Sequence, residues 1–230
     1  MRMRHQALLP IFVLALSACG ATRVLPPTPE EALARVRGLH GWAEFDSREL
    51  SGAVVAVDLH DTSVRDADLG MLKGFPKLAK LDLGWTRIDG RGLENLEGLD
   101  SLRVLRLTGF NDHTYIHDAD LAKLPPLPLL EFLVLDYTGV TDNGIEQLRR
   151  LPRLRSLRMQ VTRIDDAGIA LLSALPSLES LDISRTRTEK RTQLELAPVS
   201  TALQTRDLAG RRAGVTRRTN FGRSDREFGR

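Results

Sequence analysis

The 230-residue chain has a single cysteine, so no disulfide framework can form within it, and only 5% of its residues are aromatic. Its net charge of +3 is unevenly placed: residues 185–230 hold twelve basic and five acidic residues, a net of +7, which leaves about −4 on residues 1–184. The basic character is therefore a property of the tail and says nothing about the body of the chain.

The N-terminus reads MRMRHQALLPIFVLALSACG, with Arg2 and Arg4 ahead of an apolar run from Ala7 to Ala18. That run is too short to span a bilayer as a permanent helix and has the layout of a secretory signal over 1–18. Leu16-Ser17-Ala18-Cys19 looks like a bacterial lipobox, and the chain's one cysteine stands at the position that the family acylates. This resemblance implies removal of the signal before Cys19 and a lipid anchor on it. A conventional cleavage after Ser17 is the other reading of the same residues. By resemblance to Gram-negative lipoproteins, Gly20 in place of Asp favours the outer membrane of a cell envelope.

Residues 19–28 read as a linker, with Pro26 and Pro27 holding it extended. Thr28-Pro29-Glu30-Glu31 is a helix start: Thr28 as N-cap, Pro29 in the first turn and Glu31 as the reciprocal partner of a capping box. Leu33, Val36, Leu39, Trp42 and Phe45 then supply an apolar stripe, so 29–53 is expected to be a helical cap over the apolar unit that begins at Val54.

From Val54 an apolar phrase L-x-x-L-x-L recurs, starting at Val54, Leu78, Leu102, Leu130, Leu154 and Leu178, at spacings of 24, 24, 28, 24 and 24 residues. A period in the twenties with leucines at set offsets specifies a solenoid. In the phrase at Leu154, Leu157 and Met159 lie two apart and face one side of a short strand, while Ser156 and Arg158 face the other. A helix comes next in each unit, with apolar residues three apart: Leu69, Leu72, Phe75; Leu93, Leu96, Leu99; Leu121, Leu124, Leu127; Ile145, Leu148, Leu151; Ile169, Leu172, Leu175. Asp66, Asp89, Asp118, Thr141 with Asp142, and Asp165 with Asp166 precede these helices and suit their free N–H groups. Pro76, Pro128, Pro152 and Pro176 close units, and Pro125-Pro126 cut the third helix short.

These residues resemble the bacterial leucine-rich repeat, L-x-x-L-x-L-x-x-T-x-I-x-D-x-G-L-x-x-L-x-x-L-P, over about Val54 to Arg187. The resemblance implies an α/β leucine-rich-repeat solenoid over 54–188: a short curved horseshoe with a parallel sheet on its concave face and helices on its convex face. At a strand spacing of about 4.8 Å, six strands make an arc of roughly 25–30 Å. The family's polar turn residue, usually Asn, bonds neighbouring backbones in a ladder. Here the column is Thr62, Thr86, Thr114, Thr138, Thr162 and Thr186, whose single hydroxyls imply a weaker ladder.

The concave face is the usual binding surface of a solenoid. Its central outward column is Asp58, Asp82, Arg106, Val134, Arg158 and Asp182; Phe132 lies at a strand start, and Trp85 and Tyr137 one step past strand ends. Aromatics and arginine dominate binding hot spots, so Trp85, Arg106, Phe132, Val134, Tyr137 and Arg158 are the candidate partner-binding residues. The plainer reading packs Trp85 and Tyr137 at the sheet edge. Arg103, Glu131, Arg155 and Glu179 alternate in sign at equivalent positions and are expected to pair across strands.

The third unit carries four extra residues, within the stretch Thr108–His113, and these are expected to bulge at its rim. Asp112, His113, His117 and Asp118 nearby have no metal-ligand spacing, so no metal or cofactor is expected. His60 near Asp58, Asp61 and Asp136 is the nearest thing to an acid–base group; there is no Gly-rich phosphate loop, HExxH or GxSxG, and a hydrolase is the weakest reading.

Residues 189–230 read as a largely disordered basic tail. Leu194, Leu196, Val199, Leu203 and Leu208 are candidates for a short cap. Export and the lack of interleaved aromatics argue against nucleic acid. The leading expectation is a monomeric, lipid-anchored, non-enzymatic module that binds an unidentified protein partner. The alternative is an envelope scaffold whose tail docks on anionic polymer or membrane.

Overall fold

A computed structural model describes residues 25–48, 52–109 and 116–186. Cys19, Thr114, the Phe110–His113 stretch and the basic tail lie outside the described residues.

Helix α1 (Pro29–Gly38) begins as its sequence specifies. The Thr28 hydroxyl accepts the Glu31 N–H at 3.3 Å, and the Glu31 carboxylate accepts the Thr28 N–H at 2.9 Å. The helix buries Ala32 and Val36 against the first repeat. It does not extend through Trp42 and Phe45. The chain reverses at His40, whose φ is +62°, and Gly41, where a Cβ would lie 2.6 Å from the Leu59 side chain. Trp42–Phe45 is then strand β1, so the cap is a helix plus a strand, and Trp42 and Phe45 are exposed rather than part of the apolar stripe.

The seven strands form one sheet in sequence order: β1, β2 (Val54–Asp58), β3 (Lys80–Asp82), β4 (Val104–Arg106), β5 (Phe132–Val134), β6 (Ser156–Arg158) and β7 (Ser180–Asp182). β1 runs antiparallel to β2, and all later neighbours are parallel. The register keeps equivalent residues side by side: Asp82, Arg106, Val134, Arg158 and Asp182 form one row, and Leu81, Leu105, Leu133, Leu157 and Leu181 the row beneath. This is a leucine-rich-repeat solenoid of α/β type.

Between sheet and helices runs a continuous core. Leu59, Leu83, Leu107, Leu135 and Met159 are at most 2% exposed, as are Leu72, Leu96, Leu148 and Leu172 on the helical side. Leu178 and Leu181 of the last strand are only partly buried. No helix among the described residues is long and apolar enough to cross a membrane.

The first two convex segments, Asp66–Gly74 and Leu93–Leu96, are 3₁₀ helices; the later three are α2 (Asp118–Leu121), α3 (Asp142–Leu148) and α4 (Asp166–Ser173). Apolar residues three apart suit a 3₁₀ turn, in which i and i+3 eclipse. Pro125 and Pro126 come soon after the four-residue α2, as the sequence requires.

The threonine column does not build the expected ladder between repeats. The hydroxyls of Thr62, Thr86, Thr138, Thr162 and Thr186 each donate to the carbonyl three residues upstream in their own repeat, at 2.7 to 2.9 Å. A hydroxyl is shorter than the Asn amide and has one donor, so it closes its own turn instead of reaching a neighbour. At these turns the residue before the threonine bonds across repeats: the N–H groups of Asp61, Trp85, Tyr137 and Val161 donate to Gly84, Thr108, Gln160 and Ser184 carbonyls. Those four residues take positive φ of 54 to 57°, a conformation costly for a β-branched residue such as Val161.

Aspartates supply further cross-repeat bonds. Asp66 accepts the N–H of Asp89 at 2.9 Å and of Gly92 at 2.6 Å. Asp118 accepts the N–H and hydroxyl of Thr141 at 2.8 and 2.6 Å, and Asp142 accepts the Asp165 N–H at 3.1 Å. These carboxylates serve the next repeat, whereas Thr141 and Asp165 cap their own helices through Asn143 and Ala167.

Candidate functional site

The concave face sets carboxylates beside guanidiniums, with Asp58, Asp82, Arg106, Val134, Arg158 and Asp182 in its central row. Asp58, Asp82 and Asp182 turn one oxygen back to the N–H two residues on, at His60, Gly84 and Ser184. Asp136 reaches instead to the next strand: its Oδ1 accepts the Gln160 N–H at 2.8 Å and its Oδ2 accepts Arg158 Nε at 2.6 Å. Its side chain is 1% exposed, against 45% for Arg158. Gln160 Nε2 donates to Asp182 Oδ2 at 2.5 Å, extending the network by one repeat. Arg106 Nη1 lies 3.6 Å from Asp82 Oδ2. His60 Nδ1 lies 3.8 Å from Asp82 Oδ1, and its ring is 5.7 Å from that of Trp85, tilted by 38°.

Burial pushes the Asp136 carboxyl above the usual range, against the opposing pull of the Gln160 N–H and Arg158. Asp58 is also raised by burial. Asp182 is lowered: burial opposes this, but the Gln160 amide and Ser184 N–H outweigh it. The nearby Asp82 carboxylate raises His60, against its desolvation. His60 thus lies beside both a carboxylate and an indole.

The six candidate binding residues occupy three positions along the repeat: strand start, central row and the turn past the strand end. Arg106 and Arg158 stand in the central row on either side of Val134. Val134 is 4% exposed, so it offers a partner almost no surface: it sits in a row between two long guanidinium side chains, and its expected role as a contact residue is corrected. Phe132 is half-buried at the start of β5. Trp85, 37% exposed, and Tyr137, half-buried, occupy turns past the ends of β3 and β5, with Gly109 at the equivalent place between them. A Cβ on Gly109 would overlap the Tyr137 carbonyl oxygen, so the backbone there must come close to its neighbour.

The sequence pattern puts Asp82, Asp136, Gln160 and Asp182 on this face but does not single them out. No periodicity tells which carboxylate meets which arginine. The outer pairs do form: Arg103 with Glu131 at 2.5 Å and Arg155 with Glu179 at 3.0 Å. Of the residues weighed for metal, Asp118 commits its carboxylate to Thr141, and no group of three or more metal-ligating side chains occurs among the described residues.

With sheet, repeat register and concave network in place, the class defined is a leucine-rich-repeat protein fold. Among solved structures, internalin C2 of Listeria monocytogenes is similar at 23% identity, covering 62% of this chain and 67% of that one, with a TM-score of 0.40. The APL1 leucine-rich repeat domain is similar at 22% identity over 56% of this chain and 33% of its own, with a TM-score of 0.42. Mouse RP105, in complex with MD-1, is similar at 23% identity over 51% of this chain and 20% of that chain, with a TM-score of 0.37. This chain therefore spans a third or less of the last two. No protein-family model matches the chain, and no curated protein matches it.

Proposed function

We propose that the protein is a lipid-anchored protein-binding module of a bacterial cell envelope, with the concave face as its contact surface. One observation carries this reading. Arg158 is hydrogen-bonded to Asp136 of the preceding repeat and Arg106 lies 3.6 Å from Asp82, yet they stay 45% and 37% exposed. A guanidinium fixed from below and open above loses little conformational freedom on binding, which is what makes arginine an effective anchor.

Crosslinking capture from native envelopes tests it. Arg106→Glu and Phe132→Ala are each expected to cut capture at least tenfold, a loss of about 1.4 kcal/mol, while leaving the melting temperature within a few degrees. Unchanged capture by both variants sinks the concave-face reading. Loss of envelope association only on deleting residues 189–230 supports the scaffold instead.

The anchor is proposed from the Leu16–Cys19 motif, with the outer membrane as its place. Cys19→Ser is expected to abolish acylation and move the protein to the soluble fraction. Incorporation of labelled fatty acid into the variant defeats the lipid-anchor proposal.

A further inference from the structure

An open groove of about 410 Å³ lies off the concave sheet, where the strands of the first two repeats turn toward their helices. Arg65, Arg87 and Arg91 line it, together with Asp66, Ala67 and Asp89. Its acids are already engaged. Asp66 spends both oxygens on the N–H groups of Asp89 and Gly92. Asp89 accepts the Arg91 N–H at 3.2 Å and lies 3.3 Å from Arg91 Nε. Among the described residues Arg65 and Arg87 make no ion pair, and both are exposed.

The repeat itself does not call for Arg65 or Arg91, whereas Arg87 shares its column with Ser63, Tyr115, Gly139 and Arg163. The positions equivalent to Arg91 hold Ala67, Ala119, Asn143 and Ala167, and those equivalent to Arg65 hold Asp89, His117, Thr141 and Asp165. Three guanidiniums are thus gathered at one junction against the two carboxylates of Asp66 and Asp89, and two of the three make no ion pair among the described residues. Planar forks of this kind match phosphate oxygens, and several forks together suit a tetrahedral group better than a planar carboxylate. The volume is that of a sugar-sized body, too small for a folded partner and separate from the concave surface proposed above.

We propose that this groove binds a phosphate monoester carried on a sugar-sized body, with Arg65 and Arg87 as the principal ligands and Arg91 shared with Asp89. Two sources share that chemistry, a soluble sugar phosphate and a phospholipid headgroup.

The full chain is titrated calorimetrically with glucose 6-phosphate and, separately, floated with phosphatidylcholine vesicles containing phosphatidic acid. The double variant Arg65→Gln/Arg87→Gln is run beside it, with a melting curve to check its fold. In the arm that reports the true source, the double variant is expected to weaken binding at least about tenfold, since charged hydrogen bonds are lost. Arg65→Lys/Arg87→Lys restores only part, because charge returns without the fork. Heat with glucose 6-phosphate that the double variant loses assigns the soluble source; loss confined to flotation assigns the headgroup. Equal behaviour of wild type and double variant in both arms overturns the proposal. So does anionic-vesicle binding that disappears only when residues 187–230 are deleted.

Discussion

Replacing Gly168 with alanine is expected to cost about 2 kcal/mol of folding stability, although alanine is the better helix former. Gly168 lies inside α4, where the intrinsic preference for Ala is worth about 1 kcal/mol in the opposite direction. What decides the sign is the neighbour. A Cβ at Gly168 would overlap Asp142 Oδ1, the oxygen that accepts the Asp165 N–H. Either α4 moves away from α3, or Asp142 rotates and leaves that N–H unsatisfied; overpacking of this kind costs ~1–3 kcal/mol. The urea midpoint should fall accordingly. Asp142→Ala in the same chain should recover most of the loss, because the oxygen in the way is gone and the hydrogen bond was worth about 1 kcal/mol. If the double variant is no more stable than Gly168→Ala alone, steric conflict at this junction is not the cause.

The same exchange of Asp for Gly recurs along the solenoid, with one inversion. Asp66 packs at Gly92, Asp118 at Gly144 and Asp142 at Gly168, each aspartate reaching forward to the next repeat. Between the second and third repeats the partners trade places: Gly90 takes the aspartate position, and a Cβ on it would overlap Asp120 Cβ. Asp120 then turns its carboxylate to the His117 N–H and Lys123 within its own repeat. Each of these junctions therefore has room for one carboxylate and no more.

This pairing shows where the sequence is legible and where it is not. The leucine offsets set strand register and core directly, because a side chain of period two or three must face inward to be buried. The aspartates are legible as N–H acceptors. The repeat to which they lend that service is not, since a linear pattern gives no distance between units. Trp42 and Phe45 continue a helical spacing, but His40 and Gly41 break the helix first, and the spacing cannot register that break. Val134 falls in an outward column and is buried all the same, because exposure depends on the length of its neighbours. The Asp136–Arg158 and Asp82–Arg106 contacts join residues 22 to 24 apart, so only the folded sheet brings them together.

Arg158→Met should destabilise the protein by about 2–3 kcal/mol at pH 7.5 and by much less near pH 4. Methionine keeps most of the aliphatic stem, so the change isolates the guanidinium. Asp136 then keeps only the Gln160 N–H for a carboxylate that is 1% exposed. Removing one partner of a buried pair costs ~3–5 kcal/mol; the 45% exposure of Arg158 argues for the lower figure, since water already screens that side of the pair. The pH dependence has a definite sign. The folded-state pKa of Asp136 already lies above its ordinary value through burial, and loss of Arg158 raises it further. Between the unfolded and folded values the native state binds more protons than the unfolded state, so stability falls as pH rises through the folded pKa. Acid therefore rescues the variant by neutralising the stranded carboxylate. Asp136→Asn should show the contrasting result: the side chain can still accept the Gln160 N–H, no buried charge remains, and the loss should stay near ~1 kcal/mol with no matching pH dependence. Urea unfolding of wild type and both variants at pH 4.5 and 7.5 separates these outcomes. A loss in Arg158→Met that is the same at both pH values would mean that packing of the arginine stem, and not its charge, holds this face in place.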